Sequence, residues 1–314
     1  MRDAVRTSEV HDVQTYRSVY ERIEKPHVTQ SWAWGEAKKT AEKWDVVRLA
    51  FYQGDEPVGL CQILRKRYIG VPLVSRVNRG PLFCRGLSEE VKVRILCELR
   101  SRFRHMIGGL LLIAPGMSRE DSHIQALRRT GFLNWRTAGW HSTLIDLTRD
   151  TGETRKRLHS TWRKHLNRGE KSGLLLNVSS SEDLVELVIR KHENNMRQKD
   201  FVGPSRTFLQ ALYTTSPGDV VVLTASVWSE PVCGMMVLRH GLNAECVVGW
   251  FNDEEGRRLY AGNFVYWQAV VEMKNRGCHW LDLGGFGTPE RYGRFKKEMG
   301  GDEYDLAGEW LSCW

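Results

Sequence analysis

The chain has 314 residues, 41% hydrophobic and 27% charged, with a formal net charge of +8, the proportions of a soluble globular protein long enough for about two units of ordinary size. No apolar run approaches the roughly 20 residues that span a bilayer, and residues 1–24 lack the apolar core of a signal peptide, so the cytoplasm is the expected location. The seven cysteines (Cys61, Cys84, Cys97, Cys233, Cys246, Cys278 and Cys313) are odd in number and form no C-x-x-C pair, and His240 and His279 have no ligand at helical spacing; neither a disulfide nor a metal site is expected.

Residues 31–42 read as a helix carrying aromatics. A strand follows at 46–52, then a turn on Gly54-Asp55-Glu56-Pro57 and a second strand at 58–65, a hairpin-like pair. After a third strand come a helix at 89–104 and a short apolar strand at 110–114. The same order returns later in the chain, with a helix at 205–214 and strands at 220–227 and 232–240 joined by Ser229-Glu230-Pro231. A third strand, a helix at 262–276 and an apolar strand at 280–283 complete the second set.

Sliding the chain by 174 positions lays Asp45-Val46-Val47, Leu49, Glu56-Pro57-Val58 and Leu64-Arg65 on Asp219-Val220-Val221, Leu223, Glu230-Pro231-Val232 and Leu238-Arg239, nine identities in a window of 21. The same offset pairs Ser31 with Ser205 and Ala37 with Ala211. One folding unit therefore occurs twice. Its helix, hairpin, strand, helix, strand order implies an α/β unit, a mixed sheet with helices on its faces. The expected division is 1–147 and 148–314.

Between the copies, seven Lys or Arg residues lie from Arg155 to Lys171 against one acid, Glu170. The stretch reads as a single helix: Asp150 with Glu153 resembles a capping box, Leu158, Trp162 and Leu166 repeat at i+4, and Gly173 is a stop. Arg163, Lys164, Arg168 and Lys171 would project from such a helix as a phosphate-attracting face. A solvated connecting helix is the other reading.

Near the C-terminus, His279-Trp280-Leu281-Asp282-Leu283-Gly284-Gly285-Phe286 precedes Tyr292-Gly293-Arg294-Phe295-Lys296-Lys297-Glu298-Met299-Gly300-Gly301. An apolar strand ending in Gly-Gly allows a turn without a Cβ clash, and the following cations arrive at a strand end, where small-molecule sites of open sheets lie. These two runs resemble the closing signature of the Fem family, the nonribosomal aminoacyltransferases that build peptidoglycan cross-bridges from aminoacyl-tRNA. Gln30-Ser31-Trp32-Ala33-Trp34-Gly35-Glu36-Ala37-Lys38 is similar to that family's first-half motif. Trp162-Arg163-Lys164-His165-Leu166-Asn167-Arg168-Gly169-Glu170-Lys171-Ser172-Gly173 is similar to its middle one.

The resemblance implies two tandem acetyltransferase-like (GNAT) units, without the coiled-coil arm of longer members, since no heptad run of sufficient length occurs. GNAT units cradle acetyl-CoA with a Q/R-x-x-G-x-G/A turn at a helix N-terminus. Here that place reads Arg257-Arg258-Leu259-Tyr260-Ala261-Gly262-Asn263, with tyrosine where the first glycine belongs. The implied donor is therefore aminoacyl-tRNA, with no cofactor and no metal, and the implied acceptor is the amine of a peptidoglycan precursor or similar peptide.

By the same resemblance, Lys296 is the cation that stabilises the transition state, Phe295 positions the reacting groups, and Lys38 and Arg206 are the nearest matches to the acceptor's diphosphate ligands. Trp250 stands where the family has a tyrosine, and Tyr292 and Arg294 join it as expected acceptor contacts. Arg163, Lys164, Arg168 and Lys171 are the expected tRNA contacts. Asp282 carries two readings, acceptor of the amine proton or cap of the turn. An acyl-CoA-dependent N-acyltransferase acting on an amino sugar or secondary metabolite, and an RNA-binding module without catalysis, are the alternatives. No G-x-S-x-G elbow supports a triad hydrolase.

Overall fold

The computed structural model describes residues 4–69, 71–103, 110–286 and 290–312. In chain order the elements are β1 (Val5–Glu9), α1 (Val13–Tyr20), α2 (Trp32–Glu42), β2 (Asp45–Gln53), β3 (Glu56–Tyr68), β4 (Val71–Asn78), β5 (Leu82–Phe83), α3 (Glu89–Phe103), β6 (Leu110–Ala114), α4 (Asp121–Arg129), β7 (Leu133–Arg136) and β8 (His141–Asp146). There follow α5 (Thr151–Arg157), α6 (Ser160–Glu170), β9 (Leu175–Ser179), α7 (Glu182–Lys199), α8 (Arg206–Thr215), β10 (Val220–Val227), β11 (Glu230–His240), β12 (Asn243–Phe251), α9 (Glu255–Arg258), α10 (Ala261–Asn275), β13 (Trp280–Asp282), α11 (Glu290–Lys297), β14 (Asp302–Asp305) and β15 (Glu309–Ser312).

The chain divides into two units. The first is Met1–His141 with Asp305–Trp314, and the second is Ser142–Tyr304. The sheet of the first runs β1-β2-β3-β4-β6-β15-β7, with β5 beside β3, and that of the second runs β14-β8-β13-β12-β11-β10-β9. Each is mixed: β4 and β6 are parallel, as are β12 and β13, while the hairpins are antiparallel. Each sheet has its own core. Ile63, Ile95, Leu99 and Trp310 are buried in the first, and Trp162, Val221, Val265 and Leu281 in the second.

The repeat seen in sequence is a repeat in register. In β2 and β3, Val46 pairs with Leu64 and the ladder shifts between Phe51 and Tyr52. In β10 and β11, Val220 pairs with Leu238 and the shift falls between Ala225 and Ser226, the same places after adding 174. Both leading helices are opened by the aligned serines, Ser31 accepting from the Trp34 N–H and Ser205 from the Phe208 N–H, so each side chain satisfies one donor its helix leaves open.

The copies differ in what lies beneath those helices. In the first, the buried Arg48 guanidinium lies 3.6 Å from the Trp32 ring centroid and bonds Glu36 (2.9 Å) and Gln62 (2.9 Å). The buried Gln30 side chain bonds both the N–H and the carbonyl of Gln62. A Cβ on Gly35 would lie 2.2 Å from Gln62 Oε1 and 2.7 Å from the Arg48 guanidinium, so any larger residue there would displace the network. Most of the first tryptophan motif thus builds a satisfied polar network within one unit. In the second copy, Val222, Met236 and Leu209 align with Arg48, Gln62 and Gly35, and all three are fully buried. An apolar set replaces the ion pair, a change that buried pairs tolerate well.

Two sequence expectations are corrected. The first concerns the division at 147/148: β8 joins the sheet of the second unit beside β13, and β15, at the far end of the chain, joins the sheet of the first beside β6. The second concerns the basic helix, which is two helices broken at Leu158 and His159, both with extended backbone. The break lets Leu158 turn into the core while the His159 N–H donates to the Glu298 carbonyl at 2.8 Å. Asp150 caps α5 and Gly173 takes φ +76° after α6, at the expected start and stop.

Candidate active site

The second unit brings two of the singled-out residues, Asp282 and Lys296, together around one turn. After β13 the chain passes through Leu283, Gly284 and Gly285, with Gly284 in the left-handed region at φ +77°. A Cβ on Gly284 would sit 2.6 Å from the carbonyl oxygen of Cys246 on β12 and 3.5 Å from Lys296 Nζ. Only glycine permits both the conformation and the approach.

The buried Asp282 carboxylate holds this turn. It accepts from the Gly284 N–H (2.8 Å), from the Tyr304 hydroxyl on β14 (2.5 Å) and from the Ser142 hydroxyl on β8. Ser142 Oγ also lies 2.9 Å from the Gly284 carbonyl oxygen. Both Asp282 oxygens are engaged, Oδ1 by the Gly284 N–H and the Ser142 hydroxyl and Oδ2 by the Tyr304 hydroxyl. Sequence reasoning missed Ser142 and Tyr304, which carry no local motif and reach Asp282 from 140 residues before it and 22 after it.

Lys296, in the last turn of α11, is half-buried and donates from Nζ to the carbonyls of Gly284 (2.9 Å) and Gly285 (3.1 Å). Among the described residues nothing else accepts from it, so two of the three ammonium donors are engaged. Burial holds its pKa below the ordinary lysine value, an effect the Asp282 and Glu245 carboxylates oppose. Phe295, the residue before it, packs inward. Its ring meets Tyr266 edge-on at 5.1 Å and Trp162 at 5.6 Å, an arrangement typical of aromatic pairs. This packing ties α11 to α10 and α6 and so fixes the neighbouring lysine.

The acetyl-CoA cradle implied by a GNAT unit belongs at the start of α10, and the residues there do not fit it. Tyr260 takes the left-handed conformation at φ +54° that a glycine would supply. Its ring stacks on His165 at 4.6 Å, its hydroxyl accepts from Arg168 at 2.9 Å, and α6 lies so close that a Cβ on Gly169 would be 3.1 Å from the Tyr260 carbonyl oxygen. Side chains of α6 crowd the place a pyrophosphate would take.

The remaining expected contacts are spread out. Of the expected tRNA contacts, Lys164, Arg168 and Lys171 are exposed and Arg163 half-buried. Arg155, in the same segment, is engaged by Glu170 through two bonds of 2.7 and 2.6 Å. In the first unit Lys38 pairs with Glu42 at 2.5 Å, one turn along α2. In the second, Arg206 at the start of α8 bonds Glu186 and lies 3.4 Å from Glu193. Arg294 is exposed and pairs with Glu298 at 2.8 Å. The side chain of Tyr292 lies outside the described residues.

Trp250 lines a cleft of about 360 Å³ with Lys191, Asn194, Asn195 and Gln198, the Lys191 ammonium 4.7 Å from its ring centroid. Lys296, Phe295 and Asp282 are not among the walls of that cleft.

Residues 153–302 match the acetyltransferase (GNAT) domain family. No curated protein sequence matches the chain. Among solved structures, the chain is similar to FemX at 13% identity, covering 97% of this chain and 96% of that one with a TM-score of 0.81. A tandem GNAT protein from the clavulanic acid biosynthesis pathway superposes at 11% identity over 98% of both chains, TM-score 0.56. The C-terminal domain of a putative lysylphosphatidylglycerol synthetase from Agrobacterium fabrum does so at 12% identity over 94% and 92%, TM-score 0.56. The two mixed sheets are therefore the tandem GNAT fold as it occurs in FemX.

Proposed function

We propose that this tandem GNAT protein is an aminoacyltransferase that moves an amino acid from aminoacyl-tRNA to an amine of a peptidoglycan precursor or similar peptide. The observation that carries the reading is the half-buried Lys296 ammonium, seated on the Gly284 and Gly285 carbonyls with one donor to spare. The FemX fold over 97% of the chain and the crowded start of α10 both support it.

An aminoacyl ester is already activated, so the protein has little covalent work to do. The neutral acceptor amine attacks the ester carbonyl, forming the C–N bond and placing negative charge on the carbonyl oxygen. The free Lys296 N–H stabilises that oxyanion. Collapse breaks the bond to the ribose oxygen, which leaves with the proton the amine gives up, and the product is an amide. Asp282 acts through the turn it caps, and Phe295 through the packing that fixes Lys296. The exposed cations of α6 attract the donor's phosphates, and the expected cytoplasmic location suits a charged tRNA as substrate.

Mass spectrometry of reactions containing a mixture of aminoacyl-tRNAs and peptidoglycan-precursor peptides tests this: the acceptor gains the mass of one aminoacyl residue. Lys296→Ala lowers turnover by about two orders of magnitude, the loss typical of one oxyanion donor, with the circular dichroism spectrum unchanged. Near-wild-type activity in that variant removes the lysine from the mechanism. The second reading, an acyl-CoA-dependent N-acyltransferase, is favoured by the match of residues 153–302 to an acetyltransferase domain. A clear rise in melting temperature with acetyl-CoA, together with an acetylated product, would put it first.

A further inference from the structure

In the first unit, β7 is the end strand of its sheet and pairs with β15 alone among the described strands. Its burial pattern has no inward face: Leu133, Asn134, Trp135 and Arg136 are all exposed. Leu133 and Trp135, two apart and so on one face of the strand, are each 59% exposed, whereas Trp140 lies under the Arg79 guanidinium. Large apolar side chains gathered in this way mark a contact surface more often than singly scattered ones do.

The end of α4 and β7 contribute only cations, while Glu309, which faces Arg136 across the β15 ladder, is paired with Arg76. Arg128 and Arg129 end α4, four residues before Leu133, and Arg136 ends β7 itself; Arg128, Arg129 and Arg136 are exposed. Among the described residues, none of the three side chains has an ion pair or hydrogen bond. Elsewhere in the same unit Arg76, Arg102 and Arg119 each meet a carboxylate.

We propose that this face docks on an anionic phospholipid surface. Indole rings favour the boundary between headgroup and acyl chain, and cations beside them draw the protein to negatively charged lipid. An edge strand of four residues ending in arginine is a poor template for adding another strand, which argues against an extended peptide as the occupant. No helix among the described residues is long and apolar enough to cross a membrane, and the contact proposed is made by this face. The proposal stands independently of the transferase reading.

Sedimentation of the full chain with phosphatidylcholine vesicles, with and without phosphatidylglycerol and at rising salt, tests it. Binding is expected only with phosphatidylglycerol and weakens as salt rises. Trp135→Ala combined with Leu133→Ser lowers partitioning by about tenfold through lost interfacial contact. Arg128→Gln, Arg129→Gln and Arg136→Gln together lower it by about a hundredfold, roughly fivefold per charge. Trp228→Ala, which removes an indole 93% exposed in the other unit, leaves it unchanged.

All these positions are exposed, so melting temperatures stay at the wild-type value. Equal binding to neutral vesicles, or wild-type binding by the two patch variants, overturns the proposal. So does a lipid-free dimer that the Trp135 and Leu133 changes dissociate, because a second copy would then cover the face.

Discussion

Lys296 sits against backbone carbonyls, which accept its protons but cannot neutralise its charge, and burial consequently lowers its pKa from the ordinary 10.5. If the cation is the working form, the rate falls as pH rises through that lowered value, giving an alkaline limb below 10.5. The acidic limb is set by the acceptor amine, which must be neutral to attack. Lys296→Arg should move the alkaline limb upward in a pH–rate profile, and a limb that stays in place assigns it elsewhere. The stability sign is opposite to that of a salt-bridged lysine. The unfolded chain keeps this proton to higher pH than the folded one, so unfolding free energy rises with pH between the folded pKa and 10.5. Urea titrations of Lys296→Met should lack that rise. Asp282→Asn sets an amide N–H where three donors now converge; a loss of about 1–3 kcal/mol is expected, the cost of buried donors left unmatched, with turnover reduced as the Gly284 turn loosens. Wild-type urea stability would show that the cap is dispensable.

At the scale of elements, the informative pair is α5 and α6. A continuous helix would have kept Leu158 on the helical stripe, whereas the break sends it into the core and turns α6 across the start of α10. That places Arg168 against Tyr260 and leaves Lys164 and Lys171 in solvent. Neutralising Arg163, Lys164 and Arg168 together should raise the KM for charged tRNA more than it lowers kcat. The slope of log affinity against log salt should shrink by about 2, near 0.7 per contact for single-stranded nucleic acid. An unchanged slope would remove α6 from donor binding. The hairpins carry a different lesson: the same register and bulge persist in both copies although Arg48 and Gln62 in one are Val222 and Met236 in the other. The turn and the alternation of the strands set pairing, and the side chains beneath are free to change from polar to apolar.

For the molecule as a whole, chain order and sheet membership part company at two strands. β8 precedes every other strand of the second unit, and β15 follows every other strand of the first. A fragment of 148–314 therefore loses β8 from between β14 and β13, along with the buried Ser142, Thr143 and Ile145. It should show no cooperative thermal transition, whereas 142–304 should melt as one unit. Matching transitions for the two fragments would show that β8 is dispensable to that sheet.

The duplication, the two hairpins, the capped helices that lead them and the glycine turn near Lys296 were all legible in the sequence. Each rests on interactions between residues close in the chain, or on a pattern written twice. The break at Leu158, the partners of Asp282 and the placement of β8 and β15 were not. All three depend on side chains or strand edges that meet across long stretches of chain, where composition and spacing carry no record of which groups will be neighbours.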